Sequence, residues 1–100
     1  MSADRLQGQI QILINLKEDI QKLMSHVEEF TNLYEAALMG AQNRGVMGEF
    51  MDKLRQQALP YYKKEVDNSV NELQLMVQMV DKRIDALQQA LAETEAREYS

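Results

Sequence analysis

His26, followed by the carboxylates Glu28 and Glu29, is the place in this chain where residue types most nearly suggest a metal site. A di-iron bundle site needs a Glu-x-x-His pair on each of two helices. One histidine in the reverse order does not supply it, so a solvated or seam-edge histidine is expected. Ser25, Thr31 and Ser69 carry hydroxyls, but no base and orienting partner assemble beside them in the sequence. Without cysteine there is no disulfide, thiolate ligand or thiol nucleophile. No catalytic residue, metal or cofactor is expected, and the chain reads as a non-enzyme. Tyr61, Tyr62, Lys63 and Lys64 set two aromatics beside two cations, a composition that can stack or contact an anion. The plainer alternative has Tyr62 filling a helical seam while Lys63 and Lys64 pair with Asp67 on the solvent side.

Charge narrows the partners. The net charge is -5 and the sequence shows no basic cluster of the kind that neutralises phosphates, so nucleic acid is not an expected partner. The most apolar stretch, Ile10 to Leu16, is broken by Gln11 and Asn15. It falls far short of the roughly 18 residues of a membrane span, and no membrane insertion is expected. Met1 to Gly8 shows no basic segment leading into an apolar one. The expected location is cytoplasmic, or outside the cell after export without a cleaved signal peptide.

The elements that must carry these residues are helices. Among 100 residues there are four Gly, one Pro and no Trp, while Leu, Gln, Glu, Ala and Met abound, which leaves room for about one true loop. A seven-residue repeat runs from Leu6 through Leu13, Ile20, Val27 and Tyr34, with Leu16, Leu23, Phe30 and Ala37 at the second core position and Gln9 as its one break. Glu18 and Lys22 add an i,i+4 pair outside it. A helix over about 4–39 follows. Gly40, Asn43, Arg44, Gly45 and Gly48 supply the dense run of turn residues, so the chain is expected to reverse over about 40–46.

Beyond the turn, Met47, Met51, Leu54 and Ala58 form one stripe. Val66, Val70, Leu73, Val77, Val80, Ile84, Leu87 and Leu91 form another at alternating spacings of four and three. The stripes join through Tyr62 only by a slip in phase around Pro60, a stutter. Because Leu59 is a poor N-cap, a kinked continuous helix over about 46–96 is expected rather than a break into separate helices. The whole is a single domain, 1–100, all-α: a long antiparallel hairpin. Ile10, Ile12, Ile14, Met24, Leu33, Leu38, Met39, Leu75, Met76 and Met79 lie beside or away from the heptad positions. Burying such side chains contributes on the order of 1.5–3 kcal/mol each, so a second hairpin completing a four-helix assembly is expected to cover them. Seven methionines suit an adaptable contact surface, although methionine at helical spacing is also ordinary core.

Taken together, these residues resemble the WXG family of small helical-hairpin proteins associated with bacterial type VII secretion. Its hallmark is Trp-x-Gly in the turn, with a Phe five residues after the glycine. Here Gly45 and Phe50 match and Asn43 occupies the tryptophan position. A second family pattern places an acid between hydrophobic residues on the later helix: Val77, Asp81 and Ile84 fit, and Gln88 does not. With the turn near Asn43, Asp81 is expected opposite Arg5. The family's Tyr-x-x-x-Asp/Glu export signal has no match, Tyr99 being followed by Ser100. The resemblance implies the Trp-less companion that lacks the signal, an adaptor escorting another helical protein or the helical N-terminal segment of a toxin. It would do so as a homodimer or heterodimer. The alternative is a structural subunit of another helical complex, such as a tether, a needle-like filament or a phage assembly factor.

Overall fold

The computed structural model describes residues 2–45 and 48–98. The expectations placed on Val46, Met47, Tyr99 and Ser100 lie outside the described residues. The described chain is helical, with no strand, and folds as an all-α helical hairpin. Helix α1 runs Ala3–Asn43, α2 runs Glu49–Lys53 and α3 runs Leu59–Glu98, with a π-helical turn, Leu54–Ala58, between α2 and α3.

Ser2 caps α1: its Oγ accepts the Arg5 backbone N–H at 3.3 Å, satisfying a donor that the first turn leaves open. Asp4 in that turn complements the helix dipole. The helix does not stop at Met39 as expected. Gly40 costs it only about 1 kcal/mol relative to alanine, which the remaining turns absorb, and α1 continues to Asn43. The chain leaves α1 through Gly45 (φ 104°) and enters α2 through Gly48 (φ 91°), two positions whose positive φ favours glycine.

The irregularity near Pro60 is a widened turn within continuous helix. Pro60 has no N–H for the carbonyl four residues back, and its ring crowds that carbonyl. The ladder shifts accordingly, so that the Leu59 N–H reaches Leu54 O, five residues back. Helical structure thus runs unbroken from Glu49 to Glu98, as the stutter in the hydrophobic pattern suggests.

Packing divides the chain into two units, Met1–Lys22 with Leu73–Ser100, and Leu23–Glu72. In the first, Leu6 and Ile10 of α1 meet Ile84 and Leu87 of α3, with Leu13, Ile14, Val80, Ala90 and Leu91 packed around them. Early residues meet late ones, so the legs are antiparallel. The second unit buries Leu38 and Met51, and stacks Tyr34 on Tyr62 with ring centroids 5.1 Å apart and planes 23° from parallel.

Candidate interaction surface

The α3 stripe behaves as its period predicts: Val66, Val70, Leu73, Val77, Val80 and Leu91 are half-buried, and Ile84 and Leu87 are buried. On α1 the first predicted line also faces inward, from Leu6 (2% exposed) and Ile20 (5%) in the first unit to the half-buried Val27 and Tyr34 in the second. The second predicted line does not. Leu16 in the first unit, and Leu23, Phe30 and Ala37 in the second, are exposed.

Their place is taken by residues four, rather than three, beyond the first line: Ile10 and Lys17 in the first unit, Met24, Thr31 and Leu38 in the second. The exposed line is the greasier of the two. Two ion pairs between helices lie on the chosen side, Lys17 Nζ to Asp81 Oδ1 at 2.8 Å and Lys63 to Glu35, each within its own unit. Partly exposed pairs of this kind contribute no more than about 1 kcal/mol, so they bias the rotation of α1 without compensating for the exposed leucines.

These pairs also correct the register. Lys17 with Asp81 and Glu35 with Lys63 are both centred on residue 49, whereas the expected Asp81–Arg5 contact is centred on residue 43. Extension of α1 to Asn43 and resumption of helix at Glu49 move the reversal toward the C-terminus. Asp81 therefore meets a cation on the facing helix, but that cation is Lys17. Lys63 likewise reaches across to Glu35 rather than pairing with Asp67, and no Glu18–Lys22 ion pair forms among the described residues. Tyr62 fills the seam through its stack on Tyr34.

Of the ten residues expected beneath a second hairpin, Met24 is half-buried on the side of α1 that faces the seam, and the other nine separate. Ile10 (8% exposed) and Leu38 (9%) are buried within the chain's own packing and are not free surface, because the rotation of α1 turns them into the seam. Ile14 is half-buried against the first unit's core. Ile12, Leu33, Met39, Leu75, Met76 and Met79 are exposed, by 48–70%. In the first unit Ile12 stands beside a shallow apolar groove of about 280 Å³ lined by Gln9, Leu13, Arg83 and Leu87. Two residues along α1, about 200° round the helix, Ile14 lines a groove of the opposite character with Lys17, Glu18, Gln21, Asp81 and Asp85. The unit thus has one apolar and one polar flank. In the second unit, Leu23 (50%), Phe30 (57%) and Leu33 (59%) lie on one side of α1.

Of the family-motif positions, Asn43 is the exposed last residue of α1, Gly45 supplies the left-handed turn, and Phe50 is 66% exposed on α2. Val77 and Ile84 sit in the seam, flanking Asp81. His26 is exposed, with Nδ1 3.7 Å from Glu29 Oε2. Among the described residues no group of three or more His, Cys, Asp or Glu could hold a metal ion, and no helix is long and apolar enough to cross a membrane. The hydroxyl of Thr31 is buried in the seam without a hydrogen-bond partner.

The sequence reading passed over Arg55, which lies half-buried on the π turn and lines a groove of about 390 Å³ with Glu35, Leu38, Met39, Leu59 and Lys63. The available signal was the stretch 53–64, which contains four cations and no acid. Comparison with family models, curated proteins and solved structures finds no match to this chain.

Proposed function

We propose that this chain is a helical adaptor that covers its exposed apolar line with a second helical chain, giving a four-helix assembly. The observation that carries the reading is the exposure of Ile12 and Leu16 in one unit and of Leu23, Phe30 and Leu33 in the other. Each retains roughly half or more of its surface in water. Covering that remainder is worth about 1 kcal/mol per side chain, and a helix with a matching stripe is the natural cover. The resemblance of Gly45, Phe50, Val77, Asp81 and Ile84 to the WXG pattern favours a companion role in type VII secretion, with a helical protein or the N-terminal segment of a toxin as cargo. The alternative, a permanent structural subunit of another helical complex, uses the same surface.

Co-expression with the product of each adjacent small open reading frame, read by size-exclusion mass, tests the adaptor reading. A stable complex with one neighbour, lost on Phe30→Glu, supports it. A chain that stays at 11.6 kDa with every neighbour contradicts it. A homo-oligomer indifferent to the neighbours favours the structural subunit.

A further inference from the structure

The second unit has another flank. From Leu33 to Glu35 is about 200° round α1, and Glu35, Leu38 and Met39 on that side face Arg55, Leu59 and Lys63 across the 390 Å³ groove. Its walls are apolar: Leu38 is buried, Leu59 half-buried, and Met39 59% exposed at the rim. Glu35, the acid lining it, is engaged by Lys63. Arg55 makes no hydrogen bond or ion pair among the described residues, although it is half-buried. An arginine whose stem is partly buried beside a groove and whose guanidinium has no acceptor is available to a carboxylate, which it binds through two parallel hydrogen bonds.

The groove lining carries a net positive charge, Arg55 and Lys63 against Glu35, although Asp52 and Glu65 flank the stretch that supplies the cations. Residues 53–64 contain Lys53, Arg55, Lys63 and Lys64 and no Asp or Glu, in a chain whose net charge is -5. Screening at physiological salt acts over about 8 Å, so a side chain entering this groove responds chiefly to the charges that line it: Arg55, and the Lys63–Glu35 pair, which largely cancels itself. We infer that the groove is a docking site for an acidic amphipathic helix, whose aliphatic side chains lie on Leu38, Met39 and Leu59 while a carboxylate at the edge of its stripe pairs with Arg55. This goes beyond the adaptor reading, which concerns the other flank, and each can fail without the other.

The test uses the full chain and two fluorescein-labelled synthetic helices, one with leucines on one face and glutamates along its edge, the other with every glutamate replaced by glutamine. Fluorescence anisotropy is expected to show at least about tenfold tighter binding of the glutamate peptide by the wild type. Arg55→Gln should abolish that preference, Arg55→Lys should retain part of it, and Met39→Glu should weaken both peptides. Arg55 holds nothing together, so the Gln variant should keep the wild-type circular dichroism spectrum and melting temperature. Equal affinity for the two peptides, no binding of either, or an undiminished preference in Arg55→Gln overturns the inference. Co-expression mass, read separately, reports on the adaptor surface.

Discussion

Leu6 and Leu16 occupy the same helix, the same half of the hairpin and core positions of the same predicted heptad repeat, yet replacing each with alanine should have very different consequences. Leu6 is 2% exposed and packs in the cluster with Ile10, Ile84 and Leu87. Its truncation removes a buried isobutyl group and leaves a cavity, at a cost of about 3 kcal/mol, near the lower end for such changes because a two-helix seam can partly close. Leu16 is 44% exposed. Little more than half of its transfer energy is realised in the isolated chain, and the higher helix propensity of alanine returns a few tenths. The expected loss is under about 1 kcal/mol. Urea unfolding followed by circular dichroism, at submicromolar protein so that association does not contribute, measures both. A total stability of roughly 5–15 kcal/mol makes the difference easy to resolve. Equal losses, or a larger loss for Leu16→Ala, would mean that α1 presents its other line to α3 and that the exposed face has been misassigned.

Further outcomes follow from single sites. Thr31→Val removes a buried hydroxyl that has no partner, and should raise stability by about 1 kcal/mol, seen as a higher melting temperature. A double-mutant cycle on Lys17 and Asp81, with alanine at each, should give a coupling of about 0.2–1 kcal/mol that shrinks in 1 M salt, whereas the same cycle on Arg5 and Asp81 should give none. The exposed helical Gly8, where an added Cβ meets nothing, should gain about 0.5–1 kcal/mol on change to alanine. Gly45→Ala should lose about 1 kcal/mol or more, because φ of 104° strains any L side chain; thermal melts of the two variants should move in opposite directions.

The later helix was legible because it has one apolar stripe and no rival. Val66 through Leu91 predict the seam position by position. The first helix has two candidate lines beside Leu6, Leu13 and Ile20, and hydrophobicity favours the wrong one. Leu16, Leu23 and Phe30 outrank Lys17, Met24 and Thr31 as core residues, and what tips the choice is contact with the facing helix, which periodicity within α1 cannot register. The turn was misplaced for a similar reason. Gly40 looks like a breaker, but a helix held along its length by tertiary packing runs through it and ends only at Asn43, and the reversal waits for the glycines that adopt positive φ. The acid at Asp81 was recognisable as a seam-flanking residue, while its partner depended on that register and so shifted from Arg5 to Lys17. Pro60 announced an irregularity in the pattern, although only the backbone shows that it takes the form of a π turn carrying Arg55 into a groove.

Whether the exposed line of α1 is a contact surface is decided by the mass of the purified assembly in solution, by sedimentation equilibrium at tens of micromolar, for the wild type and for a variant carrying Leu23→Glu and Phe30→Glu. Both side chains are more than half water-exposed or nearly so, so the variant should fold with unchanged helical content. The wild type, alone or co-purified with its helical neighbour, should weigh well above the 11.6 kDa of one chain, and the variant should sediment as that single chain. A wild-type monomer under both conditions, or an assembly that survives both charges, would contradict a partner helix on this face.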